Sequence, residues 1–261
     1  MLVSIGEAKQ IWAVAAVFGQ ARTLQRLHAE LEPRLTAADR LVYLGNYMGY
    51  GAAVVETLDE LLAFRRHLIE RRDWQPEQFV ALRGAQEEMW VKLLQIQWAM
   101  QPAETFAWMM AHGVEATLRA YGGNPAEAGA KFRAGVVVTT RWTTELRERF
   151  IRHPGHYDFV HGLASAAYTA DQTLLFVNAG LDPGKPLDVQ NDLFWWGTAG
   201  FEGLAQPYAG FRHVVRGYDA ERGGVRLDGP VISLDAGCGF GGHLLAVCFA
   251  ADGSVVDQIR I

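Results

Sequence analysis

The stretch Arg40-Leu41-Val42-Tyr43-Leu44-Gly45-Asn46-Tyr47-Met48-Gly49-Tyr50-Gly51 opens on a short apolar run and breaks at Gly45 into a loop punctuated by two further glycines. A brief apolar segment stopped by glycine predicts a buried strand followed by a turn. The same pattern lies upstream, where the run from Ile11 to Val17 ends at Phe18-Gly19-Gln20. Leu24, Leu27, His28, Leu31 and Leu35 then recur at helical spacing. Downstream of the quoted stretch, Val54, Leu58, Leu61, Leu62 and Leu68 mark a second helix, and Phe79 to Leu82 a third strand that stops at Gly84. Strand and helix alternating through short connections predict α/β units around a buried sheet.

From Glu87 to about Arg149 the rhythm changes. Met89, Trp90, Leu93, Leu94, Ile96 and Trp98, then Phe106 to Met110, then Ala116 to Tyr121 predict helices with no strand between them. Beyond this helical stretch the apolar runs shorten again, at Leu174 to Val177, His213 to Val215, Val231 to Leu234, Leu244 to Phe249 and Val255 to Ile261. Glycine, aspartate and proline separate them, so the C-terminal part is expected to be mostly sheet. No internal repeat, low-complexity tract or Pro/Ser-rich linker interrupts the 261 residues, and a single domain over 1–261 is expected.

Composition narrows the function classes. Half of the residues are hydrophobic and 20% are charged, enough to build a large core. A net charge of -5 gives no basic footprint for a phosphate backbone, so nucleic acid is not an expected partner. The apolar run at Ile11 to Gly19 is far shorter than the roughly 20 residues of a membrane-spanning helix. Cys238 and Cys248 belong to no ligand spacing, which favours a reducing, cytoplasmic setting.

The loops after the apolar runs carry five ordered frames: Ala16-Val17-Phe18-Gly19, Gly45-Asn46-Tyr47-Met48-Gly49-Tyr50-Gly51, Gly84-Ala85-Gln86-Glu87, Asn178-Ala179-Gly180-Leu181 and Arg216-Gly217-Tyr218. Together with Glu115-Ala116-Thr117-Leu118 and Phe240-Gly241-Gly242 they resemble the calcineurin-like metallophosphoesterases, above all bacterial serine/threonine phosphatases and symmetrical diadenosine-tetraphosphate hydrolases. The resemblance spans nearly the whole chain. It implies a four-layer α/β sandwich, two packed mixed sheets flanked by helices, with a helical insertion at about 87–149. It also implies two divalent cations such as Mn, Fe or Zn. In the family these frames read Asp-x-His-Gly, Gly-Asp-x-x-Asp-Arg-Gly, Gly-Asn-His-Glu, His-Ala-Gly-Leu and Gly-His.

The departures bear on function. Ala16 and Phe18 stand where the first Asp and its His are expected, and Asn46 replaces the bridging Asp. Gly49 and Tyr50 replace the second Asp and the phosphate-gripping Arg. Ala85 and Gln86 replace the Asn-His pair, and Asn178 and Tyr218 the later histidines. A two-metal phosphoesterase needs a bridging carboxylate and flanking imidazoles to hold its cations about 3.5–4 Å apart and acidify the bridging water. Neutral amides do not supply that field, and glutamine cannot act as a general acid. No catalytic residue, no metal ligand and no cofactor is therefore expected. The chain reads as a pseudophosphatase working as a protein-binding or assembly subunit, with a protein partner or a second copy of itself. Two rivals stand beside it: a divergent metal-dependent hydrolase of phosphoproteins or dinucleoside polyphosphates, and a sensing module that grips a nucleotide or other small phosphorylated ligand through Tyr50, Arg216 and Tyr218. Asn46, Gln86 and Asn178 are expected to be satisfied structural amides. Glu87 and Glu88 are expected as helix-start caps, and an exposed aromatic patch is expected on the helical insertion or on the loop from Asp192 to Phe201.

Overall fold

The computed structural model describes residues 1–261, the side chain of Ala199 excepted. The chain lays down β1 (Leu2–Ser4), β2 (Gln10–Val14), α1 (Ala21–Leu31), β3 (Arg40–Tyr43), α2 (Val54–Arg71) and β4 (Phe79–Ala81). A helical stretch follows: α3 (Ala85–Leu93), α4 (Pro102–Met109), α5 (Glu115–Ala120), α6 (Pro125–Arg133), α7 (Val136–Ile151) and α8 (His156–His161). Then come β5 (Ala166–Tyr168), β6 (Leu174–Val177), α9 (Leu193–Trp196), β7 (His213–Arg216), β8 (Val231–Ser233), β9 (Leu245–Ala250) and β10 (Val255–Arg260).

Two mixed five-stranded sheets result, ordered β10-β9-β2-β3-β4 and β1-β5-β6-β7-β8. Within the first, β2, β3 and β4 run parallel while β9 returns antiparallel to β2. Within the second, β6, β7 and β8 run parallel and β5 is antiparallel to β6. Parallel strands are buried on both faces, so β3 and β6 read as unbroken apolar runs. The sheets pack face to face, with Phe176 of β6 meeting Phe249 of β9 at 6.2 Å between ring centroids. Helices flank them, α1 packing on α2 and β10.

The helical stretch expected over 87–149 runs from Ala85 to His161. Aromatic packing of Trp90, Tyr121 and Phe150 holds the stretch together, and His156 ties it to the body, bonding Tyr121 just after α5 and Asp59 on α2. Strands β1 and β5 have no counterpart in the periodicity of the sequence. Each is three residues long, and the alanines of β5 carry no strand preference of their own.

Candidate functional site

Parallel strands deliver their following loops to one edge of a sheet, so the loops after β2, β3, β4, β6 and β7 converge. Backbone hydrogen bonds stitch them into one node. Val17 and Phe18 donate to the Asn46 carbonyl at 3.1 and 2.8 Å, Gly217 and Tyr218 donate to the Asn178 carbonyl at 3.0 and 2.9 Å, and Ala16 donates to Gly217 at 3.1 Å. The Gly84 frame joins through the Gln86 N–H, which donates to Asn46 Oδ1, and through Glu87, which accepts the Asn46 N–H, so the five ordered frames of the sequence meet in space.

The node keeps an unusual backbone. Phe18, Asn46 and Tyr50 take φ values of 51, 54 and 49°, in the left-handed region. Asparagine tolerates this region, whereas phenylalanine and tyrosine each give up about 1 kcal/mol to occupy it. Gly49, at φ 80°, is required twice over, since a Cβ there would lie 2.0 Å from Oε1 of Gln86.

Glu87 holds one side of the node. It is wholly buried at the third position of α3, and its two carboxylate oxygens accept the backbone N–H groups of Asn46, Tyr47, Met48 and Gly84 at 2.8–3.0 Å. The Gly84 bond is half of a capping box, and the others are the means by which the helix start fixes the loop after β3. Burial pushes this carboxyl up, and the backbone donors pull it back. Glu88 instead pairs with Arg83 at 2.8 Å.

An aromatic cluster fills the centre. The buried ring of Phe18 packs edge-on against Tyr50, Tyr218 and Phe240, at 5.5, 5.4 and 5.2 Å between centroids, and Tyr50 meets Phe240 at 4.7 Å. Ala16 and Ala85 are buried beside the turns and present only methyl groups. Burial, with the charge of Asp235 nearby, pushes the Tyr218 phenol up to about 12, so it stays protonated at neutral pH.

The three amides are only half satisfied, which corrects the expectation that they are fully paired. Asn46 Oδ1 accepts the Gln86 N–H at 3.1 Å, Gln86 Nε2 donates to the His112 carbonyl at 2.8 Å, and Asn178 Nδ2 donates to the Leu44 carbonyl at 2.6 Å. Asn46 Nδ2, Gln86 Oε1 and Asn178 Oδ1 are buried without a partner among the described residues. A single amide has four hydrogen-bonding positions, and a loop node built on backbone groups fills only some of them.

Arg216 does not join Tyr50 and Tyr218. Its buried guanidinium is taken up by Glu202, by Asp219 Oδ2 at 2.7 Å and by Ser233 Oγ at 3.2 Å, over the ring of Phe201. As the last residue of β7 it lies in register with Ser233 on β8, and the neighbouring acids neutralise it there. The cation at the aromatic mouth is Arg222, with its guanidinium carbon 3.8 Å from the centroid of Phe240. No spacing in the sequence marks it, because the loop bend that brings it over the ring is a tertiary feature.

A second aromatic group borders the mouth. Trp108 of α4 stacks on His112 at 4.2 Å and meets Trp196 of α9 edge-on at 5.8 Å. Both indoles are exposed, 45% and 40%. The helical stretch and the Asp192–Phe201 loop, each a candidate for an exposed patch, form one patch together. Trp90 and Trp195 belong to the core, and Trp98 is exposed elsewhere on the helical stretch.

No family model and no curated protein matches the chain. Solved structures do. A proposed diadenosine tetraphosphatase superposes with a TM-score of 0.54 at 18% identity, covering 99% of this chain and 97% of that one. A protein serine/threonine phosphatase from Saccharomyces cerevisiae, similar to human PP5, gives 0.56 at 12% identity over 100% and 82%. The chain has the calcineurin-like metallophosphoesterase fold. A cold-active protein tyrosine phosphatase of a psychrophilic Shewanella species shares it, with a TM-score of 0.51 at 14% identity over 100% and 82%. Likeness at these identities establishes the fold, and the chemistry has to be argued from the site.

The metallophosphoesterase fold implies two divalent cations at this node, and the residues do not fit them. The side chains brought together are methyl groups, a phenyl ring, phenols and neutral amides, and the nearby carboxylates are engaged, Glu87 by four backbone N–H groups, Asp235 by those of Asp219 and Gly237, and Asp219 by Arg216. Among the described residues no group of three His, Cys, Asp or Glu side chains is disposed to hold a metal ion.

Proposed function

We propose that this chain is a phosphatase-fold protein that no longer hydrolyses and acts by binding another protein, as a partner or as a subunit of an assembly. The observation that carries the reading is the filling of the loop node by Phe18 and its three aromatic neighbours. Replacing charged ligands together with the cations they held avoids leaving like charges unpaired in a concave site. The loops keep their left-handed turns even though their side chains are unsuited to metal, which fits selection for the shape of this face. The exposed Trp108–Trp196 pair beside the mouth supports a protein partner, since indoles dominate the energetics of many interfaces. The two cysteines are free and buried, in keeping with a reducing, cytoplasmic setting. Among the described residues no helix is long and apolar enough to cross a membrane.

The reading is tested on protein purified without chelator. Elemental analysis is expected to find no stoichiometric Mn, Fe or Zn, and added manganese is expected to give no turnover of phenyl phosphate or diadenosine tetraphosphate above background. Asn46→Asp alone is expected to restore nothing, because one carboxylate does not hold two cations. Turnover that survives repurification and vanishes in Asn46→Ala would establish the divergent hydrolase instead. Light scattering after size exclusion, with affinity capture from the native cell, is expected to show a complex that the double change Trp108→Ser, Trp196→Ser weakens. A monomer that captures nothing, with a melting temperature raised by a nucleotide, would replace the interface with a sensing role.

A further inference from the structure

The mouth of the node combines three features that the packing of the fold leaves unused. Arg222 has no acidic partner among the described residues, the nearby acids Glu202 and Asp219 being engaged by Arg216. The phenols of Tyr50 and Tyr218 make no hydrogen bond among the described residues, and both rings belong to the cluster around Phe18 and Phe240. Arg222 lies on the face of Phe240, whose ring Tyr50 meets edge-on at 4.7 Å, and Tyr218 joins the same cluster through Phe18, so one guanidinium and two phenols are gathered around Phe18 and Phe240.

The loop that carries Arg222 is braced in place. Asp219 accepts the N–H groups of Glu221 at 3.0 Å and Gly223 at 2.8 Å, and its carbonyl accepts the N–H of Arg222 at 3.1 Å. Arg222 itself takes φ 53°, which turns its side chain back over Phe240. A guanidinium lying on an aromatic face keeps its N–H edge free, and that edge is a planar fork matched to a planar pair of oxygens.

We propose that Arg222, Tyr50 and Tyr218 form a binding site for a carboxylate carried by a protein partner. The fork receives the two carboxylate oxygens, and the phenols donate to them from the side. Charge decides for a carboxylate over a phosphate monoester. Among the described residues Arg222 is the cation at the mouth left without an acid, Arg216 being matched by Glu202 and Asp219, and a single positive charge matches a ligand bearing one negative charge rather than about two. The indoles of Trp108 and Trp196 stand ready for an apolar neighbour of that carboxylate in the partner chain. The inference rests on the reading of this face as a binding surface and names what it binds.

Benzoate and phenyl phosphate, titrated by calorimetry into the full chain with chelator present, test the site. Benzoate is expected to bind more tightly than phenyl phosphate at pH 7.5. Arg222→Gln is expected to weaken benzoate about tenfold or more, and Tyr50→Phe and Tyr218→Phe about threefold each, the sizes that follow from losing a charge-assisted and a neutral hydrogen bond. Arg222 is exposed, so its replacement is not expected to unfold the protein, and Tyr218→Phe gives a second reading that keeps the phenyl packing. N-acetylphenylalanine against N-acetylglutamate α-amide separates a chain end from a side chain as the source, and binding of either supports the site. Benzoate affinity unchanged in Arg222→Gln, tighter binding of phenyl phosphate, or binding of neither peptide acid would overturn the proposal. Phenol released from phenyl phosphate in a parallel reaction with manganese would instead sink the reading of lost hydrolysis, so the two failures are told apart.

Discussion

The two halves of the loop node hold their shape by different means. On the N-terminal side, around the loops after β2, β3 and β4, a single buried carboxylate, Glu87, gathers four neutral backbone N–H groups. On the C-terminal side, around the loops after β7 and β8, the work is shared between charges. Arg216 pairs with Glu202 and Asp219, while Asp219 and Asp235 bind the backbone N–H groups of Glu221, Gly223, Asp219 and Gly237. A carboxylate that meets only dipoles can be isolated in the core, whereas an arginine cannot be buried without acids to match it. Each half therefore has a different weak point.

The C-terminal half is expected to be the more fragile. Arg216→Met strands Asp219 as an unpaired buried charge and is expected to cost about 3 kcal/mol or more, measured by urea unfolding at neutral pH. A loss under 1 kcal/mol would show that Ser233 and the backbone donors suffice and that the ion pairs are dispensable. Glu87→Gln keeps the shape but turns one oxygen into a donor facing the N–H groups of Asn46 and Gly84 or of Tyr47 and Met48. A loss of about 2 kcal/mol is expected, together with faster hydrogen exchange at those amides. If exchange speeds up instead in the loops after β7 and β8, the two halves are one cooperative unit and the comparison fails.

Acid sharpens the contrast by the smallest amount. His28, stacked on Phe64, is held between Glu60 and Tyr43 at 2.6 Å each, and burial lowers its pKa from 6.5 in spite of Glu60. His156 is lowered in the same way, against the pull of Asp59. For both, the unfolded chain binds protons more readily than the folded one, so their contribution is present above about pH 6.5 and is lost as pH falls through the folded pKa. The melting temperature is expected to drop by about 3 °C between pH 7.5 and pH 5, and by less in His28→Gln. A slope unaltered in both His28→Gln and His156→Asn would place the acid sensitivity elsewhere.

The sequence by itself determined the order of the frames and the parallel α/β core, because apolar runs stopped by glycine, followed by helical spacing, leave little freedom in how consecutive units pack. It also determined which chemistry the loop positions lack: alanine, phenylalanine and glycine offer no ligand in any conformation. Glu87 was legible as a helix-start acid, since its place three residues after Gly84 is a local signal.

Tertiary structure alone decided the rest. Whether Arg216 or Arg222 faces the aromatic mouth depends on where Glu202, Asp219 and Ser233 are brought, and these come from three separate segments. The meeting of Trp108 with Trp196 joins residues 88 positions apart in a chain whose local pattern treats them alike as apolar. The half-satisfied amides escaped the sequence for the same reason. Periodicity tells which side chains are buried, while hydrogen bonding depends on which atom of each buried amide finds a partner across the node.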